Sequence, residues 1–428
     1  MLPYKRLQSL ADHKYAINDN FSLLKLASLY GANGAGKSNL VKALYLFQQF
    51  IEEGKKPFGL NNSHFKFSDK SEKQVFAVEF VQEEIPFYYG IELQNGIIAT
   101  EELFVSGLGS AKDELIFERK TSNSGKIEVR FSDDFEQDEK SQILKTVLLE
   151  EFFKPDEPIL KFVANRDNKF LQKSKKAFRW FADTLNILTP SSKPIALPHL
   201  IDIDERLREY ANEMMSSFDI GISSLESEKK RLEDFLGEDD DDLVYKLKEQ
   251  LANSPLKMLN GVSKKGDEII IVEEGDETWV KQLKLNHNQL HGEKVLFDLD
   301  EESDGTIRLL DFIPAFREIL TSKKVYIVDE IERSIHPLLI KELIKKFSLD
   351  NSTKGQLIFT THESNLLDQA IFRQDEIWFA EKNKLGSTDL YSLSKFKEHK
   401  TLDVQKGYLT GRYGGIPFLG NLKDLNWN

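Results

Sequence analysis

Residues 30–39 read Tyr-Gly-Ala-Asn-Gly-Ala-Gly-Lys-Ser-Asn, and this decapeptide decides the fold. Gly31, Gly34 and Gly36 permit a backbone path whose consecutive N–H groups turn inward, the arrangement that cradles a phosphate at a helix start. Lys37 can reach the outer phosphates of a nucleotide, and the Ser38 hydroxyl is an oxygen ligand suited to Mg²⁺. Asn33, Ala35 and Asn39 complete the loop and count with it as nucleotide contacts. The apolar run 23–30 ahead of the loop suits one buried strand. Behind it, Leu40, Val41, Leu44 and Phe47 recur at helical spacing, which predicts a helix over about 38–50. A glycine-rich turn can match by chance; a strand, this loop and a helix in that order rarely do.

Outward from the loop, the text changes character. Segments beginning at Val75, Phe87 and Lys126 read as strands, with Gln94-Asn-Gly as a hairpin turn. They predict an antiparallel meander inserted after the first helix. Residues 139–255 read as mainly helical, broken by a loop at Pro190, Pro194 and Pro198. The charged stretch from Ser224 to Leu236, followed by the acidic run Glu238 to Asp242, predicts a solvent-exposed helical arm. The acidic run itself is a solvated turn rather than a metal site. The last third returns to alternating strand and helix: Lys324 to Asp329, a helix opened by Pro337, then Gln356 to Thr361 and Glu376 to Ala380. The expected fold class is α/β, divided into 1–138 with the loop and meander, a helical arm at 139–290, and a C-terminal part at 291–428.

Three further motifs bear on chemistry. The buried strand ending in Asp329-Glu330 sets one carboxylate for Mg²⁺ and the next beside an attacking water. Adjacent carboxylates at a strand tip repel unless they have such a task. In Thr360-Thr-His362, the histidine follows a core strand and can donate to a γ-phosphate. Glu302-Ser303-Asp-Gly305-Thr opens a helix; Ser303 is there either a plain cap or, with Gly305, a second anion site.

In chain order these motifs resemble ABC-type ATPases, most closely the stand-alone bacterial ones related to overcoming-lysogenization-defect and SMC-like proteins. The resemblance rests on residues 30–39, Glu302-Ser-Asp-Gly-Thr, Asp329-Glu-Ile-Glu-Arg-Ser-Ile-His-Pro, Thr361-His-Glu-Ser and Gly411-Arg-Tyr-Gly-Gly-Ile-Pro, and covers about residues 23–50 and 295–420. It implies an ABC-type P-loop head, hydrolysis of ATP with Mg²⁺, and a homodimer of heads closed on two ATPs, open to hexamers or filaments. Lys37 and Ser38 of one copy would hold ATP–Mg, Ser303 and Gly305 of the other would clasp the γ-phosphate, and Ser334-Ile-His-Pro would cross between heads. Asp329 would hold the metal, Glu330 would polarise the water and His362 would sense the phosphate. The signature lacks the Leu-Ser-Gly-Gly-Gln of transporters. Gln74 and Gln82 are the candidates for the linking glutamine, and Tyr15 for adenine stacking.

Many relatives belong to phage defence, and the plan is similar to the ATPase subunits of the PARIS and Septu systems. About sixty residues follow His362, too few for a nuclease domain. Asp375, Glu376 and Glu381 read as charges flanking a strand, not as a metal cluster. The resemblance therefore implies a separate toxic effector, a nuclease by preference, and a phage-encoded trigger. A DNA-clamping repair ATPase is the alternative. Net charge is −13, opposite to what phosphate neutralisation favours, while the basic stretch Lys173 to Arg179 keeps DNA open. With no cysteine, thiolate metal sites and disulfides are excluded. No apolar run is long enough for a membrane span, and the expected location is the cytoplasm.

Overall fold

A continuous apolar strand must be covered on both faces, and the strand leading into the glycine loop is buried at every position from Leu26 to Gly31. The computed structural model describes residues 1–68, 73–194, 196–237, 240–263, 268–288, 294–396, 398–399 and 402–416. The glycine-loop strand lies inside a six-stranded sheet. In spatial order the strands are Thr388–Ser392, Ile377–Lys382, Leu26–Gly31, Gln356–Thr361, Val325–Val328 and Leu185–Leu188. The last five run parallel, and Thr388–Ser392 closes one edge antiparallel to Ile377–Lys382. The loop and the tips of the two motif strands therefore share the carboxyl end of one sheet, where ligands of open α/β sheets bind.

The chain divides into two compact units: 1–189 with 323–331 and 354–428, and 190–322 with 332–353. The first holds the six-stranded sheet and a five-stranded antiparallel meander. The meander is Gln74–Gln82, Ile85–Gln94, Ile97–Val105, Glu114–Thr121 and Ile127–Phe131, paired in that order. Its expected turn is present, with Asn95 at φ 52° and Gly96 at φ 83°, the left-handed pair that a two-residue hairpin requires. The loop helix, Lys37–Glu53, buries Val41, Phe47, Phe50 and Ile51. Leu40, expected on the same face, is exposed. Phe47 stacks on Phe76 and Tyr89 and meets Phe181 edge-on, which joins helix, meander and the segment after it in one aromatic core.

One polar network is buried in that core. Glu101 and Arg119 are both fully buried, 3.4 Å apart. Glu101 also accepts from the Tyr89 hydroxyl and from the amides of Ile159 and Leu160. Arg119 donates to the carbonyls of Lys154 and Glu157, each at 2.7 Å. Burial raises the Glu101 carboxyl above its ordinary range against the pull of Arg119. The pair thus fastens the turn 154–160 to the meander.

The second unit corrects the expected helical arm. Helices occupy Leu197–Ile203 and Glu205–Ser217, and Pro198 sits in a first helical turn rather than in a loop. Beyond them, Ile222–Arg231 is a strand, paired along its length with Glu277–Asn288. Glu268–Glu274, Met258–Val262 and Lys294–Phe297 complete that antiparallel sheet. Residues such as Glu, Lys and Arg favour helix locally, but sheet pairing overrides propensities of a few tenths of a kcal/mol. The charged end of Ile222–Arg231 lies at the sheet edge, where charge discourages edge-to-edge pairing. In the acidic run, Glu238 and Asp239 lie outside the described residues. Asp241 and Asp242 begin the helix Asp241–Asn253, where the dipole favours them.

Asp311, within the helix Asp304–Thr321, has its pKa raised to about 6 by burial, against the opposing pull of Arg308 at 3.5 Å. A carboxyl raised in the folded state stabilises at low pH, and that contribution is lost as pH rises from about 4 to about 6. Asp311→Asn is therefore expected to raise stability at pH 7.5 by about 1–2 kcal/mol, allowing for solvent screening, and by nothing near pH 4. Urea midpoints across that range check it.

Candidate functional site

The glycine loop runs from the strand Leu26–Gly31 to the helix Lys37–Glu53. Gly34 and Gly36 take φ 79° and 103°, conformations open to glycine. Gly36 occupies the cap position of the loop helix and no side chain caps it, so an anion can be received there. Asn33, Gly34, Ser38 and Asn39 are exposed, whereas Gly31, Ala35 and Lys37 are buried. The Lys37 ammonium donates to the Gly31 carbonyl at 2.7 Å and the Ala32 carbonyl at 3.3 Å. It also lies 3.2 Å from Nδ1 of His362. Residues 325 positions apart in sequence therefore meet at one charge.

The neighbouring strand tip is held by Thr360. Its hydroxyl donates to Asp329 Oδ1 at 2.5 Å and accepts from the Glu330 amide at 2.9 Å. One hydroxyl so fixes the carboxylate of Asp329 and the backbone of Glu330. Glu330 adopts φ 51°, a left-handed conformation that costs a glutamate about 1–3 kcal/mol and clusters at functional sites. The Ser38 hydroxyl and the Asp329 carboxylate are hard oxygen donors of the kind Mg²⁺ takes. Thr360 was legible as a β-branched strand residue; its hydroxyl's task needed the register of adjacent strands.

Ser303 and Gly305 belong to the other compact unit. Ser303 caps the helix Asp304–Thr321, its Oγ accepting from the Thr306 amide at 3.1 Å. The cap is thus formed. Gly305 has its own constraint: a Cβ there would stand 2.7 Å from the Ser334 carbonyl, and Ser334 itself has φ 63°. The signature turn and the Ser334-Ile-His-Pro segment are therefore packed backbone to backbone. His336 caps the helix opened by Pro337.

Other candidates fall elsewhere. Tyr15 pairs with Leu23 ahead of the loop strand, and its hydroxyl bonds Gly355, just before the strand Gln356–Thr361. It sits at the amino end of the sheet, about 20 Å of strand from the loop at roughly 3.3 Å per residue, too far for adenine stacking there. Gln74 bonds Ser63, and Gln82 accepts from Thr184. Asp375 pairs with Arg373 at 2.8 Å and Glu376 with His13 at 3.0 Å, both buried. These carboxylates tie the N-terminal segment to the sheet. Among the described residues no group of three or more His, Cys, Asp or Glu side chains could hold a metal ion. Nor is any described helix long and apolar enough to cross a membrane.

Residues 26–368 match the family described as "AAA domain, putative AbiEii toxin, Type IV TA system". The chain belongs to that family. Two solved structures also align with this AAA-family chain. One is an SMC head bound to the C-winged helix domain of ScpA, at 12% identity and TM-score 0.36, covering 88% of this chain and 94% of that one. The other is the SMC head domain from Thermotoga maritima, at 10% identity and TM-score 0.36, covering 87% and 92%. No curated protein matches the sequence.

Proposed function

We propose that this AAA-family chain is an ABC-type ATPase whose heads pair around ATP and Mg²⁺ to control a separate toxic effector in anti-phage defence. The observation that carries the ATP site is the meeting of Lys37 with His362 beside an uncapped helix start. Bound Mg²⁺ would neutralise phosphate charge, and catalysis would otherwise be positioning. Lys37 would exchange its carbonyl partners for phosphate oxygens, Ser38 and Asp329 would face the metal, and Glu330 would orient water. Ser303 and Gly305 of a second copy would complete the site, which makes ATP a controller of assembly. The family's description, with its toxin and toxin–antitoxin terms, favours defence. A nuclease effector, a phage-encoded trigger and kinship with PARIS or Septu subunits are the finer parts of the same proposal.

The DNA-clamp alternative is the less favoured reading. Lys173 pairs with Glu114 at 2.5 Å, Lys176 with Glu83 at 2.9 Å, and Arg179 lies 3.8 Å from Glu83. The basic stretch is thus largely spent within the chain, and phosphate binding there would have to displace acidic partners.

One experiment separates the components. Lys37→Ala is expected to abolish binding of MgATP. Ser303→Arg is expected to keep binding but to lose at least a hundredfold in turnover, since the composite site cannot close. Full turnover by Ser303→Arg would remove the paired-head mechanism, and full binding by Lys37→Ala would remove the ATP site.

A further inference from the structure

A loop that turns its N–H groups inward must turn carbonyls outward, and an outward carbonyl that is buried needs a donor. In this chain the donor comes from the far end of the sequence. The Thr388 hydroxyl donates to the Ala35 carbonyl at 2.8 Å. The fit around it is close: a Cβ on Gly36 would lie 2.1 Å from Thr388 Oγ1, and one on Gly31 would lie 2.6 Å from the Ala380 carbonyl. Ala380 faces Gly31 in the parallel register of the sheet. The glycine loop is therefore packed against the hairpin formed by Ile377–Lys382 and Thr388–Ser392.

That hairpin is fastened in turn by the Gly411-Arg-Tyr-Gly-Gly-Ile segment, a motif to which the ATPase reading assigns no task. Pro417, which follows it, lies outside the described residues. Phe379 stacks with Tyr408 at 5.5 Å and with Tyr413 at 5.7 Å, and Tyr408 meets Tyr30, the residue before the loop, edge-on at 6.1 Å. The Tyr391 hydroxyl is within reach of Glu381 Oε2 at 2.9 Å and of the Tyr413 carbonyl at 2.7 Å. Gly414 takes φ 69°, where a side chain is strained, and a Cβ there would displace the Tyr391 oxygen at 2.5 Å and Glu381 Oε2 at 2.7 Å. The contacts run without a gap from the C-terminal turn through the hairpin to the loop.

We infer that the hairpin 377–392, latched by the turn 411–416, braces the glycine loop in its phosphate-binding shape, and that Thr388 is the positioning residue through which it acts. The inference rests on the reading of this loop as a nucleotide site. Thr388 touches no phosphate; it holds the Ala35–Gly36 peptide, and with it the amides that would. The brace therefore acts on affinity more than on the chemical step.

The test measures MgATP dissociation constants and steady-state kinetics of the full chain, with melting temperatures alongside. Thr388→Val keeps the shape and removes the donor; it is expected to weaken MgATP about five- to tenfold, the loss of one hydrogen bond. KM should rise in step while kcat falls less than twofold, and Thr388→Ser should restore both. Tyr391→Phe, which loosens the latch one layer away, should weaken binding about two- to threefold, and it serves if Thr388→Val fails to fold. Unchanged MgATP binding in Thr388→Val and Tyr391→Phe, with binding abolished in Lys37→Ala, overturns the brace and leaves the nucleotide site standing. A lowered melting temperature with unchanged affinity overturns it as well, since the contact is then merely structural. Unchanged binding in all the variants, Lys37→Ala included, overturns the nucleotide reading and the brace with it.

Discussion

Glu330→Gln is expected to lower ATP turnover at least a hundredfold while MgATP still binds, and to leave an ATP-bound pair of heads that persists in size-exclusion chromatography with light scattering. Gln is nearly isosteric with Glu, so the left-handed backbone at φ 51° and the amide bond to Thr360 need not change. What is lost is a carboxylate that can accept a proton from water, a contribution of about 10²- to 10⁴-fold in general-base catalysis. The Thr360 hydroxyl would continue to hold Asp329, so metal and phosphate binding should survive. Unchanged turnover would sink the assignment of Glu330 and move the base elsewhere.

The second large effect concerns stability. Arg119→Met would leave Glu101 fully buried without its cation, and it would strip a donor from each of the Lys154 and Glu157 carbonyls. Breaking a buried pair from one side costs about 3–5 kcal/mol, because the remaining charge is uncompensated. The pH dependence has a definite sign. Burial already raises the Glu101 carboxyl, and removing Arg119 takes away the strongest influence that opposes it. The folded variant should then hold a proton that the unfolded chain releases, so its deficit is smaller at pH 5 than at pH 8. Glu101→Gln combined with Arg119→Met should recover part of the loss. Chemical denaturation at the two pH values decides it; an equal deficit at both would show that the lost packing and carbonyl bonds, not the charge, dominate.

Both predictions rest on features of unequal legibility. Lys37, Ser38, Asp329 and Glu330 could be named from the sequence because each stands at a fixed offset in a short motif, and local chain geometry alone carries them to a strand tip or helix start. The meander was legible for a similar reason: its strands alternate, and Asn95-Gly96 has little choice but the turn it makes. Residues 222–231 were not, because their composition favours a helix and their strand is made by a partner strand, Ile222 facing His287 and Arg231 facing Trp279. The same holds for Leu185–Leu188, four residues that become a strand only beside Val325–Val328. Tyr15 failed as an adenine contact through direction alone: proximity in sequence to the loop strand placed it at the wrong end of the sheet.

Sequence by itself determined that this chain carries a glycine loop between a strand and a helix, an acidic strand tip and a histidine after a core strand, since each is a local pattern with a local physical cause. Tertiary structure alone decided that His362 stands 3.2 Å from Lys37, that Thr360 holds Asp329, and that Thr388 braces Ala35. Those contacts depend on strand order and register, which arise from pairing between segments 31 residues apart for Thr360 and Asp329 and more than 300 apart for the other two, so no local motif contains both partners.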